Sequence, residues 1–124
     1  MPPRQDDAAI ADDVVLWRAV HRLQVYVADD GRERAQTWAF ESDTNEVSAS
    51  IAVEIGLEQF SAKFPQLRIA EFTAGQAREC SNIVARDPTD DDPAHVVICP
   101  IAGKTKSRIK KDARLLASKA RLLP

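Results

Sequence analysis

The residue types best suited to chemistry gather in DPTDDDPAHVVICP, residues 87–100. An imidazole such as that of His95 is a residue type suited to general acid–base work. Asp87, Asp90, Asp91 and Asp92 are close enough in sequence to orient the ring and stabilise its charged form, as general acid–base work requires. With Arg18 as a grip on an anionic group and Asp92 as the nearest acidic partner, this describes a small enzyme acting on a nucleotide-like substrate. The competing reading is structural: Pro93 launches a strand and His95 stands at its mouth, donating a hydrogen bond to a nearby turn. No nucleophile elbow and no recognisable Ser, Cys or Lys motif accompanies this His, and a lone His favours the structural reading.

The acidic loop offers hard oxygen ligands, but it lacks the turn Gly and closing Glu of a calcium loop, and His21 has no metal-spaced partner. No metal site and no cofactor is expected. AGKTKS, residues 102–107, carries Gly-Lys-Thr, but the first Gly of a phosphate-binding loop would fall at Ile98, so nucleotide hydrolysis through this motif is excluded. Lys104 and Lys106 could still meet a phosphate at a helix N-terminus there.

The segment LWRAV resembles the opening strand of ADP-ribosyltransferase-like toxins. The resemblance covers about five residues and implies Arg18 as nucleotide grip, Ser48 as sugar contact and Glu54 as catalytic acid. The chain departs from that pattern in having no Glu after Glu79 to serve as the late catalytic acid.

These residues must be positioned by one domain. A chain of 124 residues, 44% apolar and 29% charged, is long enough to bury a core without disulfides and too apolar to be disordered. Cys80 and Cys99 form no CxxC pair, which argues against a disulfide framework or cysteine-based zinc site. There is no basic-then-apolar leader and no apolar run of membrane-spanning length, so a cytoplasmic setting and no membrane partner are expected. Residues 1–12 read as a loose acidic lead and 13–124 as the domain.

The pattern predicts an α+β fold: a mainly antiparallel sheet, two short helices and a C-terminal amphipathic helix packed on it. DDVVLWRAV reads as a strand, with a short helix as the alternative. LQVYVADDGRERAQTWAF reads as a hairpin about Asp30-Gly31, with an extended run to Trp38–Phe40. Val47, Ala49, Ile51, Val53 and Ile55 alternate as in a half-buried strand; Val53, Leu57, Phe60 and Phe64 also fall at helical spacing. A short helix follows through LEQFSAKF, stopped by Pro65. LRIAEF is a strand, Thr73 caps a short helix, NIVAR is extended, and AHVVIC is a strand covered on both faces.

The charge is strongly asymmetric. Residues 104–124 carry eight Lys or Arg against one Asp, a charge of +7, whereas the preceding 103 residues carry nine basic and eighteen acidic side chains, a charge of −9. Ile109, Ala113, Leu116, Ala120 and Leu123 trace one stripe of a helix, and Lys110, Lys111, Arg114, Lys119 and Arg121 lie on the opposite arc. Helical geometry places Leu115 and Leu122 one heptad apart at the edge of that arc. The first expectation is therefore a protein-interaction or regulatory domain that docks a protein partner or a second copy through Lys110, Lys111, Arg114, Leu115 and Leu122. Nucleic acid is the weaker candidate for this surface, because no Phe, Tyr or Trp follows Phe72 to stack on bases.

Overall fold

The computed structural model describes residues 4–42 and 44–124. Eight strands, four α-helices and two 3-10 turns follow in the order β1 Val15–Val20, 3-10 turn Arg22–Gln24, β2 Val25–Val27, β3 Glu33–Ala35, 3-10 turn Thr37–Phe40, β4 Val47–Ile51, α1 Ala52–Ile55, α2 Leu57–Lys63, β5 Arg68–Thr73, α3 Ala74–Glu79, β6 Asn82–Arg86, β7 His95–Pro100, α4 Lys106–Lys119 and β8 Arg121–Leu122. Six strands form one antiparallel sheet in the order β6-β7-β4-β1-β5-β8, and β2 and β3 form a separate hairpin. This is the expected α+β architecture.

Strand register explains the two faces. Leu16 stands opposite Ile51 and Phe72, Val47 opposite Ile98, and Val84 opposite Ile98, so these apolar side chains share one face and are buried. α4 covers that face through Ala113, Leu116 and Ala117, beside Phe40. The opposite face carries Trp17, Ser50 and His95, and α2 packs there, with Phe60 edge-on to Trp17 at 5.7 Å between ring centroids. In β7, residues 96–99 are all buried, as a strand covered on both sides requires. Thr73 caps α3 in a reciprocal box with Gln76: each side chain accepts the other residue's backbone N–H.

Four expectations need correction. The lead expected to be loose is laid along the open edge of β6. The Asp7 amide donates to the Val84 carbonyl at 2.8 Å, the Asp6 carboxylate accepts from the Val84 amide, Arg78 bridges to Asp6 and Asp12, and Ile10 is buried in the core. A paired edge is a protected edge. Residues 1–3 of that lead lie outside the described residues.

The alternation read through Ile55 stops at Ile51, where the chain turns into α1 and leaves Val53 88% exposed. Gly56, at φ +78, then redirects it into α2, a backbone conformation that suits glycine. The run to Phe40 is a 3-10 turn, not an extended segment, because it bends to bury Ala39 and Phe40. Finally, α4 ends at Lys119. Ala120 is extended and Leu122 sits in β8 opposite Ala70, so Leu115 and Leu122 share no helical face. Backbone pairing with β5, including Leu123 N–H to the Ile69 carbonyl, outcompetes two more residues of helix.

Candidate functional site

The main sheet splits where β1 meets β4. β1 registers with β5 along its whole length but with β4 only at Leu16 and Trp17. Beyond that point the Arg18 guanidinium spans the opening, Nε donating to the Ala39 carbonyl at 2.6 Å and Nη1 to the Ser48 carbonyl at 2.8 Å. Ala70, a small residue, stands opposite Arg18 in β5. Burial pushes the guanidinium down to about 10, since no carboxylate offsets the lost hydration.

The split opens into a cleft of about 420 Å³ on the α2 side of the sheet. It is lined by Trp17, Arg18 and Ser48 from the strands, Lys63 from α2, Asp91 from the loop before β7 and His95 from the start of β7. Arg18, Asp92 and His95, separated by up to 77 residues in the sequence, all line this one cleft. The enzyme reading required that convergence.

His95 opens its strand and bonds the preceding loop, as the structural reading expects, but its acidic partner is not Asp92. His95 opens β7, and its Nδ1 lies 2.8 Å from the Asp87 carbonyl and 3.2 Å from the Asp87 carboxylate. With Nδ1–H donating to that carbonyl, Nε2 carries the free lone pair, the arrangement a proton acceptor needs. The carboxylate that reaches the ring is therefore Asp87. Arg4 holds Asp87 in turn through Nη1, at 3.1 Å, and Glu46 through Nε. The lead thus fixes the residue that fixes the ring.

Asp92 is 1% exposed and holds the loop together. Its Oδ2 accepts from the Ser50 hydroxyl at 2.5 Å and lies 3.8 Å from Lys63 Nζ; its Oδ1 accepts from the Ala94 amide. Its backbone exchanges hydrogen bonds with Thr89 and accepts from the His95 amide. Ser50 is directly opposite His95 in the β4–β7 register, yet its hydroxyl is committed to Asp92. A serine nucleophile activated by histidine is therefore not assembled here. Ser50 and Lys63 carried no motif in the sequence; only strand register and the packing of α2 bring them in.

Other candidates fall elsewhere. Glu54, the acid implied by the toxin resemblance, pairs with Arg86 and does not line the cleft with Arg18 and Ser48. That pairing holds its carboxyl below the usual range. Lys104 is committed to Asp112 and the Ser81 carbonyl, so it is not poised for a phosphate at the α4 N-terminus. Among the described residues no three His, Cys, Asp or Glu side chains gather to hold a metal ion, and no helix is long and apolar enough to cross a membrane.

On α4, Lys110, Lys111 and Arg114 are exposed without an ion pair among the described residues, whereas Arg108 and Lys119 pair with Asp112 and Glu79. Leu115 is 45% exposed beside them, and Leu122 is half-buried against the core. No family model, no curated protein and no solved structure matches this chain.

Proposed function

We propose that the protein binds a small nucleotide-like ligand in the cleft between α2 and the loop before β7, with His95 as the group that takes or gives a proton. The observation that carries this reading is the convergence of Arg18 and His95 on one cleft, with the imidazole anchored through Nδ1. Cleft location, a cation desolvated by burial and an oriented imidazole are the features expected of a small-molecule site. Lys63 and Arg18 supply positive charge for an anionic group, and Trp17 and Phe64 supply a flat apolar wall for a ring.

The test is His95→Asn. Asn keeps a side-chain donor for the Asp87 carbonyl but has no ring nitrogen to accept a proton. Calorimetric titration with nucleoside monophosphates, together with a turnover screen against phosphate and glycosidic esters of nucleosides, is expected to show saturable binding in the wild type and loss of turnover in the folded variant. Equal turnover in both proteins would remove His95 from the chemistry.

A second reading rests on Lys110, Lys111 and Arg114, which have no ion pair among the described residues, and on Leu115 beside them on α4. It supports docking of an acidic protein segment, the cations steering its approach and Leu115 supplying desolvated contact. Its test is binding of an acidic helical peptide whose affinity falls with salt and with Lys111→Ala, Arg114→Ala and Leu115→Ser.

A further inference from the structure

A second cleft, of about 290 Å³, lies on the other side of the sheet, between the first three turns of α4 and the ends of β4 and β7. Its floor reaches the core through Phe40, Ile98 and Leu116. Its lining carries charges of both signs. On the α4 side, Lys106 and Lys110 stand one turn apart, both exposed and with no ion pair among the described residues. Glu41, at the exit of the 3-10 turn that ends at Phe40, lines the same cleft. Its Oε1 is buried and has no hydrogen-bond partner, the single side-chain atom among the described residues of which this is true.

An unpartnered buried carboxylate oxygen costs free energy, and natural folds keep few of them without a reason. Here the carboxylate and the two ammonium groups line one cleft and do not pair with each other, so a ligand can satisfy both. The volume is at the lower end of small-molecule sites. An alkyl carboxylate would leave Glu41 unmet. An alkylamine would meet Glu41 but face two lysines.

We propose that this cleft binds an α-amino acid with a large apolar side chain. Its ammonium group donates to Glu41, its carboxylate meets Lys106 and Lys110, and its side chain lies on Ile98 and Leu116. The site is separate from the His95 cleft, and His95→Asn leaves it unaffected.

The experiment is isothermal titration of the full chain with leucine, with isocaproate, which lacks the ammonium group, and with isoamylamine, which lacks the carboxylate. Each analogue is expected to bind about ten-fold more weakly than leucine, the size of one charge-assisted hydrogen bond. Glu41→Gln is expected to weaken leucine about ten-fold and leave isocaproate unchanged; Lys106→Ala with Lys110→Ala does the reverse, weakening isocaproate and sparing isoamylamine. Methyl NMR places the ligand, with shifts expected at Ile98 and Leu116. No saturable binding of leucine, phenylalanine or methionine would overturn the proposal. So would a Glu41→Gln protein that melts higher yet binds leucine as the wild type does, because Glu41 would then only be a half-buried acid with one unpaired oxygen. Methyl shifts confined to other parts of the core would overturn it too.

Discussion

Asp92→Ala is expected to destabilise the fold by about 3 kcal/mol. The carboxylate is 1% exposed and accepts from the Ser50 hydroxyl and the Ala94 amide. Deleting it strands two buried donors at about 1–3 kcal/mol each. Relief from burying a charge offsets part of that loss. For a domain of this size, about 3 kcal/mol lowers Tm by roughly 10 °C. Asp92→Asn should cost only about 1 kcal/mol, because the amide oxygen can still accept from Ala94 while the Ser50 hydroxyl rotates to accept from the amide nitrogen. Ser50→Ala should cost about 1–2 kcal/mol, leaving Oδ2 with only Lys63 at 3.8 Å. In the double variant the two losses overlap, giving a coupling of at least about 1 kcal/mol in a double-mutant cycle. Urea unfolding followed by circular dichroism measures all of these proteins. An Asp92→Ala protein as stable as wild type but unable to bind ligand would refute the structural assignment and return Asp92 to the chemistry.

Other consequences can be measured independently. Ile10→Ala should cost about 2–4 kcal/mol in urea unfolding, since Ile10 is 2% exposed; a loose lead would give no change. Partial burial raises the Asp6 carboxyl, but the Val84 amide and Arg78 outweigh it and hold the group below its ordinary 3.8. Its contribution to stability is therefore present above that value and lost as pH falls through the depressed one, so Asp6→Asn should flatten the acid limb of a stability–pH profile. Burial, reinforced by Glu46, pushes the Cys99 thiol up to about 11. Alkylation at mildly alkaline pH should accordingly be slow until the protein unfolds.

The sequence made local features legible where a short-range rule decides them. Thr73 is readable as the cap of α3 because its hydroxyl and the helix start lie within four residues, and the structure adds Gln76 as its reciprocal partner. The 95–100 run is apolar on both faces because both faces are covered. Long-range competition hid the rest. Nothing in the chain around Lys119 signals an end to α4: Lys119 and Ala120 are good helix formers, and the helix ends because the free edge of β5 takes the backbone. The acidic lead looks solvated in one dimension, yet its carboxylates find Arg78 and the Val84 amide across more than 60 residues. The cleft follows the same logic. His95 and Arg18 could be singled out by type, but Ser50, Lys63 and the ring-binding role of Asp87 depend on a register between β4 and β7 and on the parting of β1 from β4.

The central claim is that the His95 cleft is where a small ligand binds. The most direct measurement is a two-dimensional NMR titration of the labelled protein with a nucleoside monophosphate, following the Trp17 indole, the Arg18 and Ser50 amides and the His95 ring. The account predicts saturable shifts concentrated at those groups, and weaker binding by the folded His95→Asn protein. Saturable shifts confined to α4, or no shifts at millimolar ligand with any of the four common bases, would contradict it.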